Sequence, residues 1–194
     1  MKMMRKPAFV CLLLFTLFAA AKAQQFRGPQ EFTGTVVGTN GSFRGRIYQF
    51  TLTLDRFTPD DEAVRDAKLL RSLGQDAFLD QIRNEKVGTF SLDGQARHNV
   101  NFAHARRMAD GRLRIVAALE RWTNMYKARP GDYPFTYIEI YVDENGRGEG
   151  TLIPAAQIYF NKKDHNQVNV EKFGIHRARL VFVEWHTRPP RIAE

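Results

Sequence analysis

The chain is poor in the residues that most often carry chemistry. Its 194 residues hold one cysteine, Cys11, which excludes a disulfide framework and a cysteine zinc site. Beyond residue 23 the only serines are Ser42, Ser72 and Ser91, none in a G-x-S-x-G elbow, and H-E-x-x-H is missing; a serine triad and a zincin site go with them. The glycines lack a three-residue period and no internal repeat is present, which excludes collagen-like and solenoid architectures. Nor is charge of one sign in large excess: 29 Lys+Arg stand against 21 Asp+Glu, too even for a surface that tracks nucleic-acid phosphates. With 43% hydrophobic and 12% aromatic residues, the chain has the composition of a folded globular protein.

What is present first gives an address. Lys2, Arg5 and Lys6 precede an apolar run from Ala8 to Ala21, followed by Ala21-Lys22-Ala23, the three parts of a secretory signal cut after Ala23. The run is shorter than the roughly 20 residues that cross a bilayer as a helix, and no later segment approaches that length, so no membrane span is expected after processing. Cys11 follows Ala8-Phe9-Val10 inside the run, without the small residues of a lipoprotein signal. Processing removes Lys2, Arg5, Lys6 and Lys22 and no acid, lowering the net charge from +8 to +4. A secreted domain without cysteine suits a bacterial envelope, in the periplasm or outside the cell. The Asn40-Gly41-Ser42 sequon then reads as a turn.

Gln24 to Gln30 is polar, contains Gly28-Pro29 and reads as a flexible leader. A single domain is expected over 31–187, with a 188–194 tail opened by Pro189-Pro190. Phe32, Gly34 and Val36 alternate with Thr33, Thr35 and Val37; Tyr48, Phe50, Leu52 and Leu54 alternate with Gln49, Thr51, Thr53 and Asp55. That period of two marks strands with one buried face. Thr58-Pro59-Asp60-Asp61-Glu62 starts a helix, capped by Thr58, with Val64, Ala67, Leu70 and Leu73 inward and Gly74 as its stop. A second helix carries Ala77, Phe78, Leu79 and Ile82. Strands resume at Phe90 and Leu92, Val100 and Phe102, Leu113 to Leu119 after the Asp110-Gly111 turn, Ile138 to Val142, Thr151 to Phe160 with Pro154 at an edge or bulge, Val168 and Val170, and Arg179 to His186 with Val181, Val183 and Trp185 on one face.

Connections this short demand antiparallel pairing. The expected fold is α+β: a mainly antiparallel, strongly curled sheet or partly closed barrel of about eight or nine strands, with an inserted αα-hairpin covering an apolar surface. A β-sandwich is the alternative, less suited because both of its inner faces are already occupied.

From Glu31 to Trp185 the order of several motifs resembles an uncharacterised family of secreted bacterial proteins with no established activity. The residues concerned are Gly74-Gln75-Asp76-Ala77, Arg114-Ile115-Val116 leading to Arg121-Trp122, Asp132-Tyr133-Pro134-Phe135-Thr136-Tyr137-Ile138-Glu139, and Gly146-Arg147-Gly148-Glu149-Gly150. The resemblance implies secretion and a single domain, and transfers no site.

Candidate sites follow from residue type. His98 and His104 lie six residues apart, roughly 20 Å on an extended strand, and His176 and His186 are farther apart still; neither pair can share an ion, so no metal site is expected. Asp143-Glu144-Asn145-Gly146-Arg147-Gly148-Glu149 resembles a calcium loop only superficially, since Arg147 stands where a ligand oxygen is required; it reads as a hairpin turn. Glu139, with His104 or His186, is the catalytic candidate if it faces a cavity. Arg106-Arg107, Arg112 and Arg114 surround one hairpin, followed by Arg121, Lys127 and Arg129, a positive region suited to anionic lipid, lipopolysaccharide or acidic glycan. The long connection from Trp122 to Pro134 is rich in aromatics, and Trp122, Tyr126, Tyr133 and Arg129 form the candidate binding set.

The expectation is a secreted or periplasmic non-catalytic protein binding a small apolar ligand or an envelope lipid or glycan, with no cofactor. Its alternatives are a hydrolase acting on an envelope polymer and a structural or interaction module. A cavity lined by apolar side chains favours the first reading, a buried Glu–His pair the second, and a filled core with an exposed apolar patch the third. On export from a bacterial host the mature chain is expected to begin at Gln24; N-terminal sequencing checks this, and a chain that starts at Met1 overturns the signal assignment.

Overall fold

The computed structural model describes residues 29–39, 44–121, 132–160, 168–172 and 177–187. The signal, most of the leader, the sequon and the terminal tail lie outside the described residues. Ten strands and two helices follow in the order β1 (Gln30–Gly38), β2 (Ile47–Leu54), α1 (Asp60–Leu73), α2 (Gln75–Ile82), β3 (Gly88–Leu92), β4 (His98–Val100), β5 (Phe102–Arg107), β6 (Leu113–Glu120), β7 (Phe135–Val142), β8 (Arg147–Phe160), β9 (Val168–Lys172) and β10 (Ala178–Thr187). Gln30, assigned above to the leader, is the first residue of β1 and is buried.

All ten strands form one antiparallel sheet in the order β4-β3-β2-β1-β10-β8-β7-β6-β5, with β9 added beside β8. The protein is therefore mainly-β α+β with one large sheet rather than the two of a sandwich. Ten strands replace the expected eight or nine because β4 and β5, anticipated as one run, pair with different neighbours. As paired, the order is not a closed ring: β4 adjoins only β3, and β5 only β6.

A single residue separates those two ends. The Asn101 amide N donates to Ala118 O at 3.0 Å. Its side-chain amide donates to Arg83 O at 3.0 Å and Glu85 O at 2.9 Å, and its side-chain oxygen accepts from Glu120 N at 3.0 Å. Where strand pairing changes partner, backbone groups would be left without bonds; this one buried side chain supplies them. It also switches the pleat. Val100 and Ala103 face the main core while Phe102 faces the helices, so the run expected through Val100 and Phe102 is two strands.

The main core takes side chains from every strand except β9. Phe32, Phe50, Phe90, Leu52, Leu54, Ile115, Leu119, Ile138 and Ile140 are all under 2% or at 2% exposed. Expected alternation holds in β1 and β2, where Phe32, Val36, Phe50, Leu52 and Leu54 are buried. It fails in β10. The register with β8 shifts between Leu180 and Val183, Phe182 adopts φ +52°, and Leu180 and Val183 face the core, not Val181. One extra residue in a strand makes a β-bulge and moves each later side chain across the sheet. Pro154 sits at another irregularity, as expected: β7 and β8 lose register between Phe135 and Tyr137, and Thr136 Oγ1 donates to Pro154 O at 2.9 Å.

The helical hairpin packs on the other face of the sheet. Leu70, Phe78, Leu79 and Ile82 meet Ala118, Phe135, Tyr137, Ile153, Ala156 and Ile158 in a second core. Asp60, Asp61 and Glu62 fill the first turn of α1, where acids complement the helix dipole, and Gly74 stops it at φ +87°. Two details differ from expectation. Thr58 does not cap α1; its hydroxyl accepts from Ala103 N at 3.2 Å and its own N donates to Ala103 O at 2.6 Å. Val64 and Leu73 are 53% and 69% exposed, because α1 docks along Ala63, Asp66, Ala67 and Leu70. The 143–149 segment is a hairpin turn, with Asp143 Oδ1 accepting from Asn145 N and Arg147 N, both at 2.9 Å.

Asn101→Ala removes three side-chain hydrogen bonds and leaves two carbonyls and one amide to find other partners. It is expected to destabilise the protein by about 3 kcal/mol, read from the urea midpoint, with Asn101→Asp no better because a carboxylate cannot donate to Arg83 O and Glu85 O. A change below about 0.5 kcal/mol, the range of ordinary surface substitutions, contradicts this role.

Candidate functional site

The face of the sheet turned away from the main core, where the helices do not cover it, carries a row of polar side chains fixed by register. Arg106 lies opposite Arg114, Arg114 opposite Tyr141, and Tyr141 opposite Glu149. Beyond Glu149 lies the β10 bulge, since Leu180 pairs with Gly150 and Val183 with Gly148. Alternation places these residues together; each belongs to the outward parity of its strand.

Glu139 anchors the middle of this face. Its Oε1 accepts from Arg114 Nε and Nη2, each at 2.7 Å, and from the Tyr141 hydroxyl at 3.0 Å. Burial opposes the Arg114 charge, yet its hydrogen bond to Glu139 and the nearby Tyr137 hold its pKa above the ordinary value. Burial pushes up the phenol of Tyr137, reinforced by Glu139. The Tyr141 phenol rises too, from burial and then from its bond to Glu139. The Arg112 guanidinium lies 5.3 Å from the Tyr141 ring centroid, within cation–π range, and its Nε is 2.7 Å from Asp110 Oδ2.

This arrangement leaves Glu139 poorly placed as a general base, because the same oxygen already takes three donors. The other catalytic candidates do not join it. His104 Nε2 is 2.9 Å from Asp60 Oδ1, and His104 faces Val116, which in turn faces Glu139, so two strand spacings, roughly 10 Å, separate them. His186 lies on β10 with Glu184 3.6 Å away.

Of the binding set, Trp122, Tyr126 and Arg129 lie outside the described residues. Tyr133 is half-buried at the entrance to β7, next to Asp132, whose carbonyl accepts from Gln75 Nε2 at 3.2 Å. It stands at the opposite end of β7 from Tyr141, eight residues and roughly 26 Å away along the chain. Among the described residues no three His, Cys, Asp or Glu side chains are grouped to hold a metal ion; His165 and His176 lie outside them.

A polar cleft of about 280 Å³ opens between the helices and Asn101. Buried Thr58, Ile82, Val87 and Asn101 form its floor. At its rim Arg56 pairs with Glu85 at 2.6 Å and lies 3.9 Å from Glu62, while Arg65 pairs with Asp61 at 3.0 Å. Asp66 is the odd one out: burial first, then the charges of Glu62 and Glu85, raise its pKa against the opposing pull of Arg65.

Sequence reading singled out Glu139 and the arginines and missed three residues that organise the surface. Asn101 and Phe182 carried no signal beyond a break in alternation. Tyr141 was detectable, since it shares outward parity with Glu139 two residues before it. No family model, curated protein or solved structure matches the chain.

The Asp66 shift yields a signed prediction. A carboxyl whose folded pKa lies above its unfolded value of about 3.9 opposes folding once ionised, and that cost disappears when the pH falls below the unfolded value. Asp66→Asn is therefore expected to raise the urea midpoint at pH 7, with the gain shrinking as the pH is lowered through the carboxylate range. A variant less stable than the parent at pH 7 refutes the assignment.

Proposed function

We propose that this is an exported, non-catalytic binding protein of the bacterial envelope, which takes the anionic headgroups of an envelope lipid or glycolipid on the outer face of β5, β6 and β7. The observation that carries this is the placement of Arg106 directly opposite Arg114, with Arg112 stacked on the adjoining Tyr141. Like charges facing one another across a strand pair are unfavourable, and among the described residues no carboxylate lies at ion-pair distance from Arg106. Glu139 already holds Arg114 at 2.7 Å, so the charge left for an anion from outside is that of Arg106. Guanidinium groups suit this because their planar donors match phosphate and carboxylate oxygens.

Packing inside the sheet supports an external site. Large apolar side chains fill the main core, so the small apolar ligand of the first expectation finds no support there. In this proposal the sheet winds round that core as a partly closed barrel. One core cluster draws on both ends of the strand order, and those ends are consecutive pieces of chain joined at Asn101, with pairing interrupted at the seam.

The test is sedimentation of the exported protein with vesicles of phosphatidylglycerol and phosphatidylcholine against vesicles of phosphatidylcholine alone. Binding to the anionic vesicles is expected to fall with added salt. Arg106→Glu, at an exposed position, is expected to weaken it on the order of tenfold, from about 1 kcal/mol per basic residue near an anionic surface. Equal binding to both vesicle types overturns the proposal.

A further inference from the structure

Phe182 is 82% exposed, the most exposed of the large hydrophobic residues described. It is also held in the left-handed region, at φ +52°, where a bulky side chain is an outlier and the backbone is strained. The opposite strand accommodates the bulge that puts it there. A Cβ on Gly34 would meet Phe182 O and Val181 O at 3.0 Å and the Phe50 ring at 2.9 Å, so a larger residue would force the two strands apart. A strained backbone and a reserved glycine thus combine to turn an aromatic ring into solvent.

Phe182 is not alone. Ile47 is 67% exposed; it pairs with half-buried Val37, which faces Arg179 across β1 and β10. Val181, also half-buried, precedes Phe182 and faces Thr35. Charges of both signs border these residues, three arginines against Glu149 and Glu184. Arg179 lies 3.5 Å from Glu149, and Arg147 faces Glu184 across β8 and β10 without reaching ion-pair distance. Arg177 Nη2 donates to Thr151 Oγ1 at 2.9 Å. Among the described residues neither Arg147 nor Arg177 has a carboxylate within ion-pair distance. Tyr141, carrying Arg112, sits one strand beyond Glu149, so that acid lies between these residues and the arginines of β5 and β6.

We propose that Phe182, with Ile47, is a membrane anchor that enters the acyl boundary of an anionic bilayer while the surrounding arginines rest among its headgroups. This rests on the reading above and deepens it, placing those headgroups in a bilayer whose acyl boundary the ring enters. The chemistry is that of peripheral membrane proteins: a small apolar insertion and a basic collar each contribute too little alone and bind together. A soluble polyanion would use the arginines and leave the ring in water. A bilayer uses both, and the strain at Phe182 is then spent on keeping the ring presented.

The test uses two variants of the exported protein. Phe182→Gly deletes the ring where glycine is unstrained, so its unfolding midpoint should equal or exceed the parent's. Its partitioning onto phosphatidylglycerol/phosphatidylcholine vesicles should fall about tenfold or more, the loss expected when a phenylalanine ring is no longer there to be buried. Phe182→Trp should show a blue-shifted indole emission on those vesicles, quenched by bromine-labelled acyl chains, and no shift with a soluble anionic polysaccharide. If Phe182→Gly binds as the parent does and the Phe182→Trp emission does not move, the anchor is refuted; salt-sensitive vesicle binding under those conditions leaves the headgroup reading standing. If vesicle binding is absent altogether, both fall.

Discussion

Everything in the sheet depends on how one buried amide manages a change of strand partner. Residues 98–107 run almost without interruption, yet the first part pairs with β3 and the second with β6. A strand that changes partner exposes donors and acceptors on both sides, and burying them without bonds costs roughly 1–3 kcal/mol each. Asn101 resolves this by imitating the backbone: its amide group bonds to Arg83 O, Glu85 O and Glu120 N. Aspartate lacks the donor and leucine lacks both. The same contacts tie the end of α2 to the sheet, so the helical hairpin and the seam are held at one point. Thr58 adds a second stitch nearby through Ala103.

With the change of partner held at Asn101, phenylalanine, leucine and isoleucine from nearly all strands pack together in the main core, and on the outer face alternation delivers polar residues in rows. There the chemistry is divided. Glu139, Arg114 and Tyr141 satisfy one another, while among the described residues Arg106, Arg147 and Arg177 have no carboxylate at ion-pair distance.

How much of this was legible in the sequence varies with the physical origin of each feature. Strands with one dry face announce themselves, as in β1 and β2, because hydrophobic burial acts on every second residue. The helices were visible from their acidic first turn and from Gly74. Alternation fails at bulges. At Asn101 and again at Phe182 one residue is added to the ladder, and every side chain after it changes face; nothing local in Val100-Asn101-Phe102 or Val181-Phe182-Val183 marks this, because the cause lies in the partner strands. Thr58 misled for a related reason: a hydroxyl before Pro59 and three acids has the form of a cap, but tertiary pairing with Ala103 claimed it. Val64 and Leu73 were placed inward by spacing alone, whereas the docking of α1 follows Leu70 and leaves room for Asp66 on the buried side.

The two breaks in alternation differ in what they cost. Asn101 disturbs the pleat and recovers the loss in hydrogen bonds, so its bulge is explained by the fold. Phe182 disturbs it and recovers little inside the molecule: the ring is 82% exposed, φ is unfavourable, and Gly34 must stay small to permit it. A polar residue or glycine at that position would relieve the strain and still let Val183 reach the core. The fold therefore accounts for the bulge but not for phenylalanine in it. The bilayer contact proposed above would account for that ring, because it gives an exposed apolar side chain something to bury against.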